Sequence, residues 1–329
     1  MSPKAIIEML KVTIPARLPV LVKGAPGVGK SDVIEQACSL LSYELMISHP
    51  VTSDPTDPKG MPAVVEGNAM WLPFGDLKKA ITAKKPLVWF LDDLGQAAAA
   101  VQASYMQLLL ARRVGEHKLS DKVTMIAATN RREDKCGVTG ILECVKGRFD
   151  SIVELTPTVD NWCEWARTHS IAPEVIAFVR FRPALLHDTN TPTNDIVNRP
   201  SPRTVAKMAG LFKLGIRDVE ALAGAVGPTF ASEFLGFVRI YEALPSIDGI
   251  LLKPATADIP RDNSALYAVV TALTHQITAS NASAVMTYIT RLPDEFAAMG
   301  VREATKVQPK AANCKAYIDW VSTHQNVLL

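Results

Sequence analysis

Between Val20 and Ser31 the chain runs V-L-V-K-G-A-P-G-V-G-K-S, and from Gly24 onward its residue types suit one task, holding a phosphate group. Glycines at 24, 27 and 29 permit a backbone that wraps phosphate oxygens through left-handed or otherwise Cβ-forbidden angles. Lys30 supplies a cation for the terminal phosphates, the Ser31 hydroxyl can ligate Mg²⁺, and the amides at the start of the following helix offer an anion site. The expected nucleotide-binding loop is therefore Gly24, Ala25, Pro26, Gly27, Val28, Gly29, Lys30 and Ser31. The pattern G-x-x-x-x-G-K-[ST] is short, so its context decides. A β-branched apolar run precedes it and a helix-like segment follows, which a bland surface turn would lack.

A second stretch supplies carboxylates. In P-L-V-W-F-L-D-D-L-G-Q, Pro86 to Gln96, five apolar residues end in two aspartates, as a buried parallel strand would if its carboxyl end opened onto a ligand site. Asp92 is the expected Mg²⁺ partner, directly or through water, and Asp93 is expected to orient the attacking water. Asp92 to Gly95 also fits the D-x-x-G of GTP-binding proteins. The N-K-x-D that selects guanine is absent downstream, so ATP is the expected nucleotide. The apolar strand Val123 to Thr129 ends at Asn130, whose amide can hold a water facing a γ-phosphate or serve as a strand-end turn residue.

The elements that must position these groups alternate. A short amphipathic helix around Ile6–Leu10 precedes the loop. Lys30–Leu41 has apolar residues at helical spacing, and Tyr43–Ser48 reads as a strand. Pro50–Gly75 is dense in Pro, Gly and Asp and is expected to be irregular, either a solvated connection or a loop facing substrate or partner. Ala97–Leu110 is expected to be helical, Arg112–Asp121 a hairpin-like excursion, and Ile152–Leu155 a last strand. Strands alternating with helices predict an α/β fold, a parallel sheet with helices on both faces. Beyond Thr158 the strand signals stop, and Asp160–His169, Pro173–Phe181, Pro202–Leu214 and Val219–Leu244 read as helices. After the Pro-bearing stretch Pro245–Pro260 come Ser264–Ala279, Ala282–Leu292 and Cys314–His324. The expected domains are an α/β core over 1–157, a helical region over 158–248 and a helical extension over 249–329.

The bulk numbers narrow the class. A hydrophobic share of 48% suffices for real cores, and a net charge of +2 without charged tails speaks against disorder and gives nucleic-acid binding no support. Five scattered cysteines, Cys38, Cys136, Cys144, Cys163 and Cys314, without C-x-x-C, suggest reduced thiols used for packing. No signal-peptide core or apolar run of membrane-span length occurs, so a cytoplasmic location is expected.

Together, G-A-P-G-V-G-K-S at Gly24–Ser31, W-F-L-D-D at Trp89–Asp93, I-A-A-T-N at Ile126–Asn130, K-G-R-F-D at Lys146–Asp150 and S-P-R at Ser201–Arg203 resemble an AAA+ ATPase, most closely its MoxR-type branch. The resemblance spans roughly residues 15–225, with its elements in the family's order. It implies a P-loop NTPase core with an all-α lid, Mg-ATP as cofactor, and hydrolysis. By resemblance Asn130 is the sensor-1 amide, Arg148 the finger that reaches a neighbouring subunit's γ-phosphate, and Arg203 the sensor-2 arginine of the lid. It also implies a homo-oligomeric ring of six that remodels a protein client, with a von Willebrand A domain protein as partner.

Two departures stand out. The family usually has Asp-Glu where this chain has Asp92-Asp93, which sets the second carboxylate on the order of 1 Å farther from a water placed for glutamate. The family also often inserts a helical element where this chain has Pro50–Gly75, so a channel- or partner-facing loop is expected there without the helix. Arg112, Arg113 and Lys118, on the hairpin before the Asn130 strand, could meet a nucleic-acid backbone or an acidic protein tail, though a solvated face is the commoner explanation. Two rival functions stay open: a nucleic-acid-engaging motor or loader, and an ATP-gated scaffold with little hydrolysis.

Overall fold

The computed structural model describes residues 1–134, 140–187, 196–244 and 246–324. Cys136 and Pro245 lie outside the described residues. The chain divides into two compact units, the first of residues 1–161 and the second beginning at Trp162.

In the first unit the elements run α1 (Pro3–Thr13), β1 (Val20–Gly24), α2 (Lys30–Leu41), β2 (Glu44–Ser48), β3 (Met61–Val65), β4 (Asn68–Leu72), α3 (Gly75–Thr82), β5 (Leu87–Leu91), α4 (Ala99–Ser104) and α5 (Met106–Ala111). They continue with β6 (Arg113–Val114), β7 (His117–Lys118), β8 (Val123–Asn130), α6 (Glu143–Lys146) and β9 (Ser151–Glu154). Five of the strands form one sheet in the order β2-β5-β8-β1-β9, and every pairing in it is parallel.

Alternation along the buried strands builds two cores. Val20 and Val22 of β1, Val88 and Phe90 of β5, and Ile126 and Ala128 of β8 face α1 and α2 through Ile6, Leu10, Val33, Ile34 and Ala37. The intervening Leu21, Trp89, Leu91, Met125 and Ala127 pack with Leu77 of α3, Leu108 and Leu109 of α5 and Val145 of α6. A period of two on strands buried on both sides is what a sheet covered by helices on each face requires. The first unit is thus an α/β fold, a parallel sheet with helices on both faces, and a helical C-terminal region follows.

Pro50–Gly75 is more regular than its composition suggests. Met61–Val65 and Asn68–Leu72 form an antiparallel hairpin turned by Glu66 (φ 51°) and Gly67 (φ 80°). Positive φ at both central residues is the two-residue turn whose twist matches a hairpin. Arg112–Asp121 forms the expected short hairpin, β6 with β7.

The second unit is helical throughout its described residues: α7 (Val159–Thr168, entering from the first unit), α8 (Pro173–Phe181), α9 (Pro202–Lys213), α10 (Val219–Val226), α11 (Pro228–Glu242), α12 (Ile247–Leu252), α13 (Asn263–His275), α14 (Ala282–Ile289), α15 (Asp294–Val307) and α16 (Lys315–Thr323). The single helix expected over Val219–Leu244 is two, broken at Gly227 (φ 84°) and Pro228. Proline has no amide to continue the ladder and drives its predecessor out of helical geometry. One core of this unit joins α13, α14 and α15 through Val269, Val270, Met286, Ile289, Ala297 and Val301. Phe178 and Phe212 stack edge-on against Phe230 and Phe234, respectively. Among the described residues Cys38, Cys144, Cys163 and Cys314 are free thiols, with Cys38 and Cys163 buried; burial and then Glu35 push the Cys38 thiol up to about 11. No described helix is long and apolar enough to cross a membrane.

Candidate functional site

The carboxyl ends of β1, β5 and β8 bring the chemistry-bearing residues together. Gly24 pairs in register with Asn130, and Leu91 pairs with Ala127, so the loop after β1, the aspartates after β5 and the last residue of β8 share one edge of the sheet. Within the loop Gly27 (φ 73°) and Gly29 (φ 94°) are left-handed, as the spacing predicts. Gly24 is fixed by crowding instead. A Cβ there would lie 3.1 Å from the Leu155 carbonyl oxygen and 3.2 Å from Val28 Cγ2.

Lys30 opens α2 and is buried, with its ammonium donating to the carbonyls of Gly24 and Ala25, both at 3.0 Å, and to Asn130 Oδ1 at 2.6 Å. Asn130 Nδ2 donates in turn to Asp93 Oδ1 at 3.3 Å. Ser31 Oγ donates to Asp92 Oδ2 at 2.9 Å, while Asp92 Oδ1 accepts the Asp93 amide at 3.0 Å. Lys30, Asn130 and Asp93 are thus bonded side chain to side chain, as are Ser31 and Asp92, and the Asp93 backbone amide joins the two sets across three strand ends. Asp93 is left-handed (φ 57°, ψ 33°), a conformation that aspartate and asparagine tolerate better than glutamate.

The donor set fits a magnesium ion. Ser31 Oγ and Asp92 Oδ2 are hard oxygens 2.9 Å apart. Adjacent ligands of an octahedron with bonds of about 2.1 Å are roughly 3 Å apart, so both oxygens suit neighbouring positions around Mg²⁺. Among the described residues no group of three or more His, Cys, Asp or Glu could hold a metal, so any protein share of the coordination here rests on a hydroxyl and a carboxylate.

The two arginines have local partners of their own. Arg148 follows α6, and its Nε donates to the Cys144 carbonyl at 3.1 Å. Arg203 is exposed in the first turn of α9 in the second unit, a turn held by the reciprocal capping of Ser201 and Thr204 and by Trp162 Nε1 donating to the Pro202 carbonyl.

Of the basic residues around the β6–β7 hairpin, Arg112 is turned inward, while Arg113 and Lys118 are exposed with partners in the hairpin. Arg112 donates to the carbonyls of Val123 and Ser120 at 2.7 and 2.8 Å, Arg113 to the Gly115 carbonyl, and Lys118 pairs with Asp121. Gly95 likewise has a packing cause. A Cβ at this position would fall 2.3 Å from Thr129 Oγ1, which accounts for the glycine of D-D-L-G without a guanine nucleotide. Beside the site, Lys23 and Arg131 converge on Glu154; the Lys23 hydrogen bond, helped by Arg131, holds the Glu154 carboxyl below its ordinary range.

Comparison with known proteins bears on the same segment. Residues 19–149 match the AAA domain of the dynein-related subfamily. The match takes in the phosphate loop, both aspartates, Asn130 and Arg148, and covers less than half of the chain. Among curated proteins nothing matches. Among solved structures, the Holliday junction branch migration motor RuvB of Thermotoga maritima shares 16% identity at a TM-score of 0.41, covering 82% of this chain and 80% of that one. A putative ATPase from Cytophaga hutchinsonii shares 13% at 0.38, covering 99% and 89%. NtrX from Brucella abortus, in complex with ADP, shares 11% at 0.42, covering 99% and 68%.

Sequence reasoning missed the groups behind the carboxylates. The Ser48 carbonyl accepts the Asp92 amide at 2.9 Å, and the Ser48 hydroxyl is bonded to Trp89 and Asp76. Their separations from Ser48, 41 residues for Trp89 and 28 for Asp76, leave no local pattern to find.

Proposed function

We propose that this chain is a Mg-ATP-dependent, ring-forming AAA+ ATPase of the MoxR type that remodels a protein client in the cytoplasm. The observation that carries the proposal is the convergence of Lys30, Ser31, Asp92, Asp93 and Asn130 at one edge of the sheet. Lys30 and the loop amides hold the phosphates, and Ser31 with Asp92 holds the metal. A bound Mg²⁺ would neutralise charge on the β- and γ-phosphates. Asn130, already joined to Asp93, orients with it the water that attacks the γ-phosphorus.

Arg148 acts as the finger in trans and Arg203 as the sensor-2 arginine. A half-exposed guanidinium whose partner among the described residues is a carbonyl of its own turn keeps its charge available to a neighbour's phosphate. The site is then completed by a second subunit, in a ring of six, and a von Willebrand A domain protein is the proposed partner. Core 1–157, lid 158–248 and extension 249–329 are the proposed working parts. Arg112 is turned inward onto two backbone carbonyls, and a net charge of +2 gives a nucleic-acid track no support, which favours a protein client.

The test is ATP turnover per chain against protein concentration, with Lys30→Ala as the blank. A rate that climbs and saturates is expected. A constant nonzero rate refutes the trans arginine, and a rate no higher than the blank refutes hydrolysis by the chain alone.

A further inference from the structure

Behind Asp92 lies a polar chain that the roles above do not use. Ser48, the last residue of β2, is buried, and its hydroxyl is engaged as both acceptor and donor: Oγ accepts Trp89 Nε1–H at 2.7 Å and donates to Asp76 Oδ2 at 2.7 Å. Its carbonyl accepts the Asp92 amide at 2.9 Å. Trp89 lies on β5 three residues before Asp92 and is buried, with Tyr105 edge-on at 6.0 Å between ring centroids. Asp76 sits in the first turn of α3, directly after the β3–β4 hairpin, and its second oxygen takes Lys79 at 3.2 Å. The hairpin is in turn tied to the β6–β7 hairpin, where His117 Nε2 lies 2.6 Å from the Trp71 carbonyl oxygen.

Resting on the nucleotide-site assignment above, we propose that Asp76 is a positioning residue for Asp92, acting through Ser48 and Trp89, and that it makes the β3–β4 hairpin an input to the metal site. A hydroxyl has one proton to give. Asp76 takes it, and this fixes the Ser48 rotor with its acceptor side toward the indole N–H. With both strands bonded side by side at their ends, the Asp92 amide has one position, and the Ser31–Asp92 oxygen pair keeps its spacing of 2.9 Å. Partners behind a metal ligand that fix its orientation govern metal affinity, and losing one costs about 10–100-fold. Asp76 follows the end of β4 at Leu72 within the first turn of α3, so a short segment joins the hairpin to this acid.

The test measures ATP affinity of the whole chain by calorimetry, once with Mg²⁺ and once with EDTA, for the wild type, Asp76→Ala, Ser48→Ala, Ser48→Thr and Lys30→Ala. Asp76→Ala and Ser48→Ala are expected to cut the gain that Mg²⁺ gives by about 10–100-fold while leaving the EDTA affinity within about threefold. Ser48→Thr, which keeps the hydroxyl, restores the gain, and the Asp76→Ala/Ser48→Ala double variant is no worse than the worse single one. Trp89→Phe keeps an aromatic ring and removes the N–H, so it serves as a second probe if an alanine variant fails to fold. An unchanged Mg²⁺ gain in Asp76→Ala and Ser48→Ala overturns the proposal, as do additive losses in the double variant. Lys30→Ala separates the two failures. If it binds ATP as the wild type does, the nucleotide site itself is wrong and the proposal falls with it. If it loses ATP while Asp76→Ala keeps the Mg²⁺ gain, only the positioning role is wrong.

Discussion

Replacing Asp93 by asparagine isolates the charge of the second carboxylate. Asparagine tolerates the left-handed backbone at this position as aspartate does, and its side-chain oxygen can still accept from Asn130 Nδ2, 3.3 Å away in the native protein. The fold, the Ser31–Asp92 pair and the Lys30 contacts therefore stay in place, and what is lost is the negative charge that the proposed role of Asp93 requires. A positioned acid or base contributes about 10²–10⁴-fold, so turnover should fall by that factor, or about 3–5 kcal/mol of barrier. ATP binding should change by less than about threefold, because the interaction operates in the transition state. Single-turnover hydrolysis at saturating Mg-ATP, with binding measured separately, reads both quantities. An Asp93→Asn chain that hydrolyses ATP at the native rate would refute the role given to Asp93. The companion Asp93→Glu is expected to bring no gain, since glutamate strains a left-handed residue by about 1 kcal/mol and moves the carboxylate away from Asn130. A large gain would mean that the native site is held back.

Other variants probe other parts of the account. Arg148→Ala should keep ATP binding and lose turnover, and mixing it with Lys30→Ala should restore part of the rate, because each supplies what the other lacks; normal turnover by Arg148→Ala alone contradicts the finger. Gly95→Ala should lower stability by about 1–3 kcal/mol in a urea melt through its clash with Thr129, and a native midpoint would contradict the packing argument. In the second unit, Glu303 is buried between Arg180, at 2.8 Å, and Arg167. Burial alone would raise its carboxyl, but the two guanidinia outweigh it and hold the group below the usual carboxylate range. Glu303→Ala should cost about 3–5 kcal/mol near neutral pH. A depressed folded value means that this contribution is full above the unfolded carboxylate range and is lost as pH falls through the folded value. The gap in urea stability between wild type and variant should therefore shrink toward acid, and a gap that widens would reverse the sign of the argument.

What could be read from the sequence divides along physical lines. The phosphate loop and the aspartates after β5 were legible because phosphate chemistry forces rare residues into contiguous order at the ends of apolar strands. The parallel sheet was legible because Val20–Gly24, Leu87–Leu91 and Val123–Asn130 are too apolar to be anything but buried on both faces. The β3–β4 hairpin was not, since Pro62 and the Glu66–Gly67 turn mask two short strands whose side chains are mostly exposed and so lack clean alternation. Helix α15 is hard to read because its amphipathic pattern lies between proline-marked turns, and Gly227–Pro228 divides a helix that periodicity alone would run through. Arg112 shows the remaining limit. A basic residue on a hairpin looks solvent-facing in sequence, yet its guanidinium caps two carbonyls of its own scaffold.

The most direct test of the central claim is equilibrium binding of ATP to the native chain and to Lys30→Ala, each with and without Mg²⁺. The account predicts binding that Mg²⁺ strengthens in the native chain and that Lys30→Ala abolishes. Equal binding by the two proteins, or native binding indifferent to Mg²⁺, would contradict the assignment of Lys30, Ser31 and Asp92 to a Mg-nucleotide.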